Sequence, residues 1–261
     1  MILVCLSTLL ACKKGTSPID GIDLPSDTLV RVIDTAKKPI DTLKKPVDTA
    51  TKPTDPNQGK QLNYLALGDS YTIGESVERM QNFPNQLVKQ LEKSGVIINP
   101  PTIIARTGWT TSDLQTAIKA SGVIHKFDFV TLLIGVNNQY RGGSRDTYRK
   151  EFRELLQTAI EYANGSKAHV FVVSIPDWGA TPFGKQSSRG QQAIAIEIDA
   201  FNAINREETL ALGISYTDIT PASRNAATDL SLVASDGLHP SGKMYLDWAS
   251  NLAPAIISVF K

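Results

Sequence analysis

From about residue 62 onward the apolar positions fall into two rhythms. Short continuous apolar runs at 64–67, 102–105, 129–134 and 170–175 read as buried strands, and 214–217 reads as a weaker fifth. Between them the spacing turns helical. Residues 83–93 place Phe83, Leu87, Val88 and Leu91 on one face and stop at Gly95. Thr110-Thr111-Ser112-Asp113 caps a helix running to about Ala120. Residues 146–163 carry a stripe of Phe152, Leu155, Leu156, Ala159 and Ile160, and residues 191–212 form a second long helix ended by Gly213. A last helix over 243–260 is expected to break at Pro254. Unbroken apolarity in the strands means that both faces are covered. Strands alternating with helices predict a three-layer α/β/α domain with a five-stranded parallel sheet in the flavodoxin-like order 2-1-3-4-5. Such sheets bind ligands beyond the C-terminal strand ends, near the switch between the first and third strands. The residues just past the first three strands include Ser70, Gly108 and Asn137.

The first 61 residues follow neither rhythm. Residues 1–11 are almost wholly apolar and end in small residues before Cys12. That length suits the apolar core of a secretory signal and is too short to span a bilayer. Leu9-Leu10-Ala11-Cys12 resembles the bacterial lipobox, which implies cleavage before Cys12 and lipid attachment to its sulfur. The basic residues that usually precede such a run are missing. From Lys13 to Gln61 there is no aromatic residue, and a seven-residue repeat (Ile33-Asp34-Thr35-Ala36-Lys37-Lys38-Pro39 and its two successors) ends each time in proline. Proline in every repeat excludes a coiled coil. The segment is expected to be an extended, solvated tether, its three repeats spanning roughly 65 Å at ~3.1 Å per residue; a recruitment motif for a partner is the alternative. The chain therefore divides into a signal segment (1–12), a linker (13–61) and a globular domain (62–261). The expected location is a bacterial envelope membrane, reached through the lipid anchor alone.

Composition narrows the chemistry. A formal net charge of +1 offers no footprint for nucleic acid. The only two cysteines, Cys5 and Cys12, precede the domain, so no disulfide framework holds it. The chain has three histidines. His125 and His169 lie at the N-terminal ends of the third and fourth strands, on the wrong edge for a site. His239 stands in Ser235-Asp236-Gly237-Leu238-His239-Pro240. A carboxylate three residues before a histidine can bond its ring N–H, fix the tautomer and stabilise the imidazolium. Gly237 and Pro240 suit a shaped loop. No further His or Cys is available to complete a zinc site, so neither metal nor cofactor is expected.

Four blocks resemble the SGNH, or GDSL, hydrolases: Gly68-Asp69-Ser70, Gly108 within Ala105-Arg106-Thr107-Gly108-Trp109, Asn137 within Gly135-Val136-Asn137-Asn138, and Asp236-x-x-His239. The resemblance spans the domain, with the blocks in the family's order. It implies a serine esterase with Ser70 as nucleophile, His239 as base and Asp236 orienting the base. It also implies an oxyanion hole of the Ser70 N–H, the Gly108 N–H and the Asn137 amide. Two positions depart from the pattern. Tyr71 replaces a leucine and is expected to point away from the chemistry. Asn138 replaces an aspartate that can support its loop. Trp109, Asn138, Trp178 and Phe183 are candidate substrate contacts. Trp178 either stacks on a sugar ring or merely covers the sheet end. No hydrophobic lid is evident, so long-chain lipids are disfavoured. The expected substrate is an acetylated carbohydrate or small ester, and a monomer is expected. A general short-chain esterase or thioesterase, an acyltransferase and a non-catalytic binding lipoprotein are the alternatives.

Overall fold

The computed structural model describes residues 61–261. The signal segment with Cys12, and the linker but for Gln61, lie outside the described residues. Five parallel strands, β1 (Tyr64–Gly68), β2 (Thr102–Ala105), β3 (Phe129–Leu133), β4 (Val170–Val173) and β5 (Ser215–Thr217), form one sheet in the order β2-β1-β3-β4-β5. This is the expected order. β1, β3 and β4 are buried along their whole length, as continuous apolar runs require when helices cover both faces.

Nine α-helices connect and flank the strands among the described residues: α1 (Ser70–Ile73), α2 (Phe83–Lys93), α3 (Thr111–Ala120), α4 (Val136–Tyr140), α5 (Arg145–Tyr162), α6 (Pro182–Lys185), α7 (Gln191–Ala211), α8 (Thr220–Ser223) and α9 (Gly242–Phe260). α2 packs on α9 in one layer, while α3, α5 and α7 pack side by side in the other. The Thr110–Asp113 start of α3 is a full capping box, each side chain bonding the other residue's backbone N–H. α9 does not break at Pro254; the helix is continuous through it. Pro254 lies on the exposed face, where the carbonyl deprived of its N–H partner can be hydrated.

The sheet register sets the site. Gly68, the last residue of β1, pairs with Ala105 on one side and Leu133 on the other. Three chains thus leave the sheet at one level. Among the described residues no helix is long and apolar enough to cross a membrane.

Candidate active site

The turn that carries Ser70 is built by sterics. A Cβ at position 68 would lie 2.0 Å from Thr72 Oγ1 and 2.5 Å from the Leu133 carbonyl oxygen. Only glycine lets β1 run so directly into α1. Asp69 caps that helix, its Oδ1 accepting the Tyr71 N–H at 3.0 Å. Ser70 follows as the first helical residue, so its N–H has no intrahelical partner and is available to a ligand. Among the described residues no group is hydrogen-bonded to the Ser70 hydroxyl; contacts of catalytic groups often close only on substrate. Asp69 is completely buried, and its Oδ2 has no hydrogen-bond partner among the described residues. Burial pushes its carboxyl up to about 7, against the opposing pull of the Tyr71 N–H.

Gly108 and Asn137 follow the next two strand ends. Trp109 N–H bonds the Arg106 carbonyl, closing a turn in which Gly108 has φ +83°. That backbone region favours glycine. Arg141 grips the Gly108 carbonyl oxygen at 2.6 Å through Nη2. Asn137 Nδ2 donates one hydrogen to the Trp109 carbonyl at 2.9 Å, which leaves the second amide hydrogen for an oxyanion. Gly135 starts this loop at φ +133°, where a Cβ would meet the Tyr148 hydroxyl at 2.7 Å.

The Asp236–His239 segment is a self-closed loop. Ala234 N–H donates to the His239 carbonyl at 2.7 Å, and Gly237 turns the chain with φ +73°. Asp236 Oδ1 accepts the N–H groups of Leu238 and His239, each at 2.9 Å. Oδ2 accepts the Ser76 hydroxyl at 2.7 Å and His239 Nδ1–H at 2.6 Å. Partial burial raises the carboxyl's pKa, but the His239, Leu238 and Ser76 donors outweigh it and hold it at about 2. Asp236 is therefore a carboxylate throughout the working range. With Nδ1 occupied, Nε2 of His239 is the nitrogen left to take a proton.

Contacts across chain gaps bring these loops together. The Tyr71 ring meets the His239 ring edge-on, with centroids 5.6 Å apart. Tyr71 is buried against Trp248 as well, so it braces the imidazole and does not point away from it, contrary to expectation. The Thr107 hydroxyl bonds Glu75, tying the β1 and β2 loops. Phe183 N–H donates to the Gly237 carbonyl at 2.9 Å, tying the β4 loop to the Asp236–His239 loop.

Two expected substrate contacts are corrected. Asn138 is buried and paired to Thr111, its Oδ1 accepting the N–H at 3.1 Å and its Nδ2 donating to Oγ1 at 2.7 Å. It supplies the loop support expected of an aspartate, and both its amide atoms are taken up by Thr111 at the start of α3. Trp178 is buried, with its indole N–H bonded to Gln139 Oε1 at 2.8 Å; of its two readings, the sheet-end cover holds. Phe183 stays 40% exposed and Trp109 is half-buried against the core, so both keep surface to offer. His125 and His169 pack on Phe127 and Phe260, away from the strand ends that carry Ser70. Ser76 and Arg141, both at the site, escaped the sequence reading. Gly74 hinted at a turn near Ser76, but nothing local marks Arg141.

Comparison with known proteins agrees with this fold. The sequence profile of the GDSL-like lipase/acylhydrolase family matches residues 66–246. No curated protein matches the chain by sequence. Among solved structures, a lipase/acylhydrolase from Enterococcus faecalis is similar at 20% identity and TM-score 0.59, covering 76% of this chain and 97% of that one. An acetylxylan esterase from Geobacillus stearothermophilus is similar at 17% identity and TM-score 0.57, covering 77% and 94%. A psychrotrophic esterase from Pseudoalteromonas gives 13% and 0.58, covering 77% and 99%. At these identities the structures establish the shared fold, and the profile establishes the family. The chain belongs to the GDSL-like lipase/acylhydrolase family, with the SGNH hydrolase fold, and is a hydrolase of carboxylic ester bonds.

Proposed function

We propose that the protein removes short acyl groups, acetyl foremost, from carbohydrate esters through a Ser70–His239–Asp236 triad. His239 Nε2 takes the Ser70 proton as Oγ attacks the ester carbonyl carbon. The carbonyl oxygen becomes an oxyanion facing the N–H groups of Ser70 and Gly108 and the free amide hydrogen of Asn137. Asp236, held ionised, stabilises the imidazolium. His239 then returns the proton to the departing alkoxide, leaving an acyl-serine. A water molecule, deprotonated by His239, repeats the sequence and releases the acid.

The observation that carries this reading is the four-donor Asp236 carboxylate. It fixes the His239 Nδ1–H while Tyr71, beside Ser70 in the chain, packs on the same imidazole. Exposed Phe183 and half-buried Trp109 support a saccharide alcohol. The acetylxylan activity named for one protein of this fold supports an acetyl group. Burial of Trp178 removes one stacking surface and favours a general short-chain esterase as the second reading. We propose further that Cys12 carries the lipid that anchors the domain to an envelope membrane.

The test compares acetylated xylo-oligosaccharides with nitrophenyl esters of increasing chain length, for the wild type and for Ser70→Ala. Loss of all hydrolysis in Ser70→Ala with an unchanged circular dichroism spectrum is expected. A Ser70→Ala enzyme that keeps full activity overturns the triad. Equal turnover across alcohols, with none preferred, overturns the carbohydrate assignment in favour of the second reading.

A further inference from the structure

One side chain at the site has no part in the steps above. Ser76 has φ +64°, a left-handed backbone that serine adopts at a cost. Among the described residues the only other non-glycine there is Asn164, a residue type that tolerates it. The strained backbone at Ser76 accompanies a specific contact. Its hydroxyl donates to Asp236 Oδ2 at 2.7 Å, across 160 residues of chain. That is the same oxygen that receives His239 Nδ1–H at 2.6 Å. Apart from His239, no other side chain bonds this carboxylate among the described residues.

Ser76 also belongs to the nucleophile's own turn. The N–H groups of Gly74 and Glu75 both donate to the Ser70 carbonyl at 3.0 Å, and Val77 N–H donates to the Gly74 carbonyl. Residues 70–77 are therefore one hydrogen-bonded unit. It carries Ser70 at one end and the Ser76 hydroxyl at the other.

We infer that Ser76 is a positioning residue. Its hydroxyl latches the Asp236–His239 loop to the Ser70 turn and shares Oδ2 with the imidazole. It thereby sets both the approach of His239 to Ser70 and the strength with which the carboxylate holds the ring. The inference rests on the triad proposed above. Two backbone N–H groups fix Oδ1 from within the loop, so the loop keeps its shape without Ser76. What Ser76 adds is its registration against the nucleophile.

Ser76→Ala and Ser76→Gly separate this from a structural role. Both remove the hydroxyl, but only glycine is at ease at positive φ. With nitrophenyl acetate, kcat is expected to fall about fivefold to tenfold in both variants while KM is unchanged. Ser76→Gly should melt at or above the wild-type temperature. Ser76→Asn, which accepts this backbone and can donate from its amide, should recover part of kcat. Wild-type kcat in Ser76→Gly would overturn the inference. So would a kcat loss that tracks a falling melting temperature in both Ser76→Ala and Ser76→Gly. Activity surviving in Ser70→Ala would instead condemn the triad itself; an inactive Ser70→Ala beside a normal Ser76→Gly sinks the latch alone.

Discussion

Asp69→Asn should reverse its effect on stability as pH rises. Asp69 sits beside Ser70 with no exposed surface, one oxygen capping α1 and the other without a hydrogen-bond partner among the described residues. Its carboxyl is raised by burial from 3.8 to about 7. Between those values the folded state binds a proton that the unfolded chain has released. Stability is therefore greatest below the unfolded pKa and is lost as pH rises through the folded one. Three pH units at about 1.36 kcal/mol each put the full penalty near 4 kcal/mol above pH ~7. Asparagine keeps the Oδ1 acceptor for the Tyr71 N–H and carries no charge to bury. Its Nδ2 hydrogens would replace the unpartnered Oδ2, costing on the order of 1 kcal/mol at every pH. The variant should be less stable than wild type by ~1 kcal/mol near pH ~3 and more stable by ~3 kcal/mol near pH ~8. Urea unfolding followed by tryptophan fluorescence at these two pH values measures it. Trp178 and Trp248 are buried reporters. Parallel stability curves for the two proteins across this range would refute the argument, because a carboxyl that titrates normally in the fold makes no differential contribution.

Asn137→Ala should lower kcat by about 10²–10³ with KM little changed, as removal of one oxyanion donor does; steady-state hydrolysis of nitrophenyl acetate reads this, and a change confined to KM would remove Asn137 from the oxyanion hole. Cys12→Ala should release the protein from the membrane fraction and abolish its labelling by radioactive palmitate. Unchanged fractionation and labelling would place the anchor elsewhere.

The sheet and the site's outline were legible because each rests on a local pattern. Continuous apolar runs at β1, β3 and β4 announced burial on both faces. Gly68, Gly108 and Gly135 sit where a Cβ collides or φ is positive, so glycine had to appear in the sequence at those points. Scarcity of histidine singled out His239. What remained hidden depends on pairings between distant positions. Asn138 finds Thr111 across 27 residues, Arg141 finds Gly108 across 33, and Ser76 finds Asp236 across 160. None of these leaves a periodic trace. Burial of Trp178 hung on the position of Gln139, which no spacing in the β4 loop could supply. Pro254 misled for a related reason: whether proline breaks a helix depends on whether the freed carbonyl can reach water, and that is a property of the packed surface.

The same distinction between local and distant bonds bears on how the site fails. Each loop is closed by its own backbone bonds: Glu75 to Ser70, Trp109 to Arg106, Ala234 to His239. These local closures keep each loop folded. Registration among the loops that carry Ser70, Gly108, Asn137 and His239 comes instead from side chains, namely Thr107 on Glu75, Asn137 on the Trp109 carbonyl, Tyr71 on His239 and Ser76 on Asp236. Losing one of these cross-loop contacts removes no backbone closure, so the fold has little reason to notice. The reaction does notice, since acyl transfer depends on the distance between groups delivered by different loops. Damage of that kind belongs in kcat, and the glycines that let the loops leave the sheet are where mutation should reach stability.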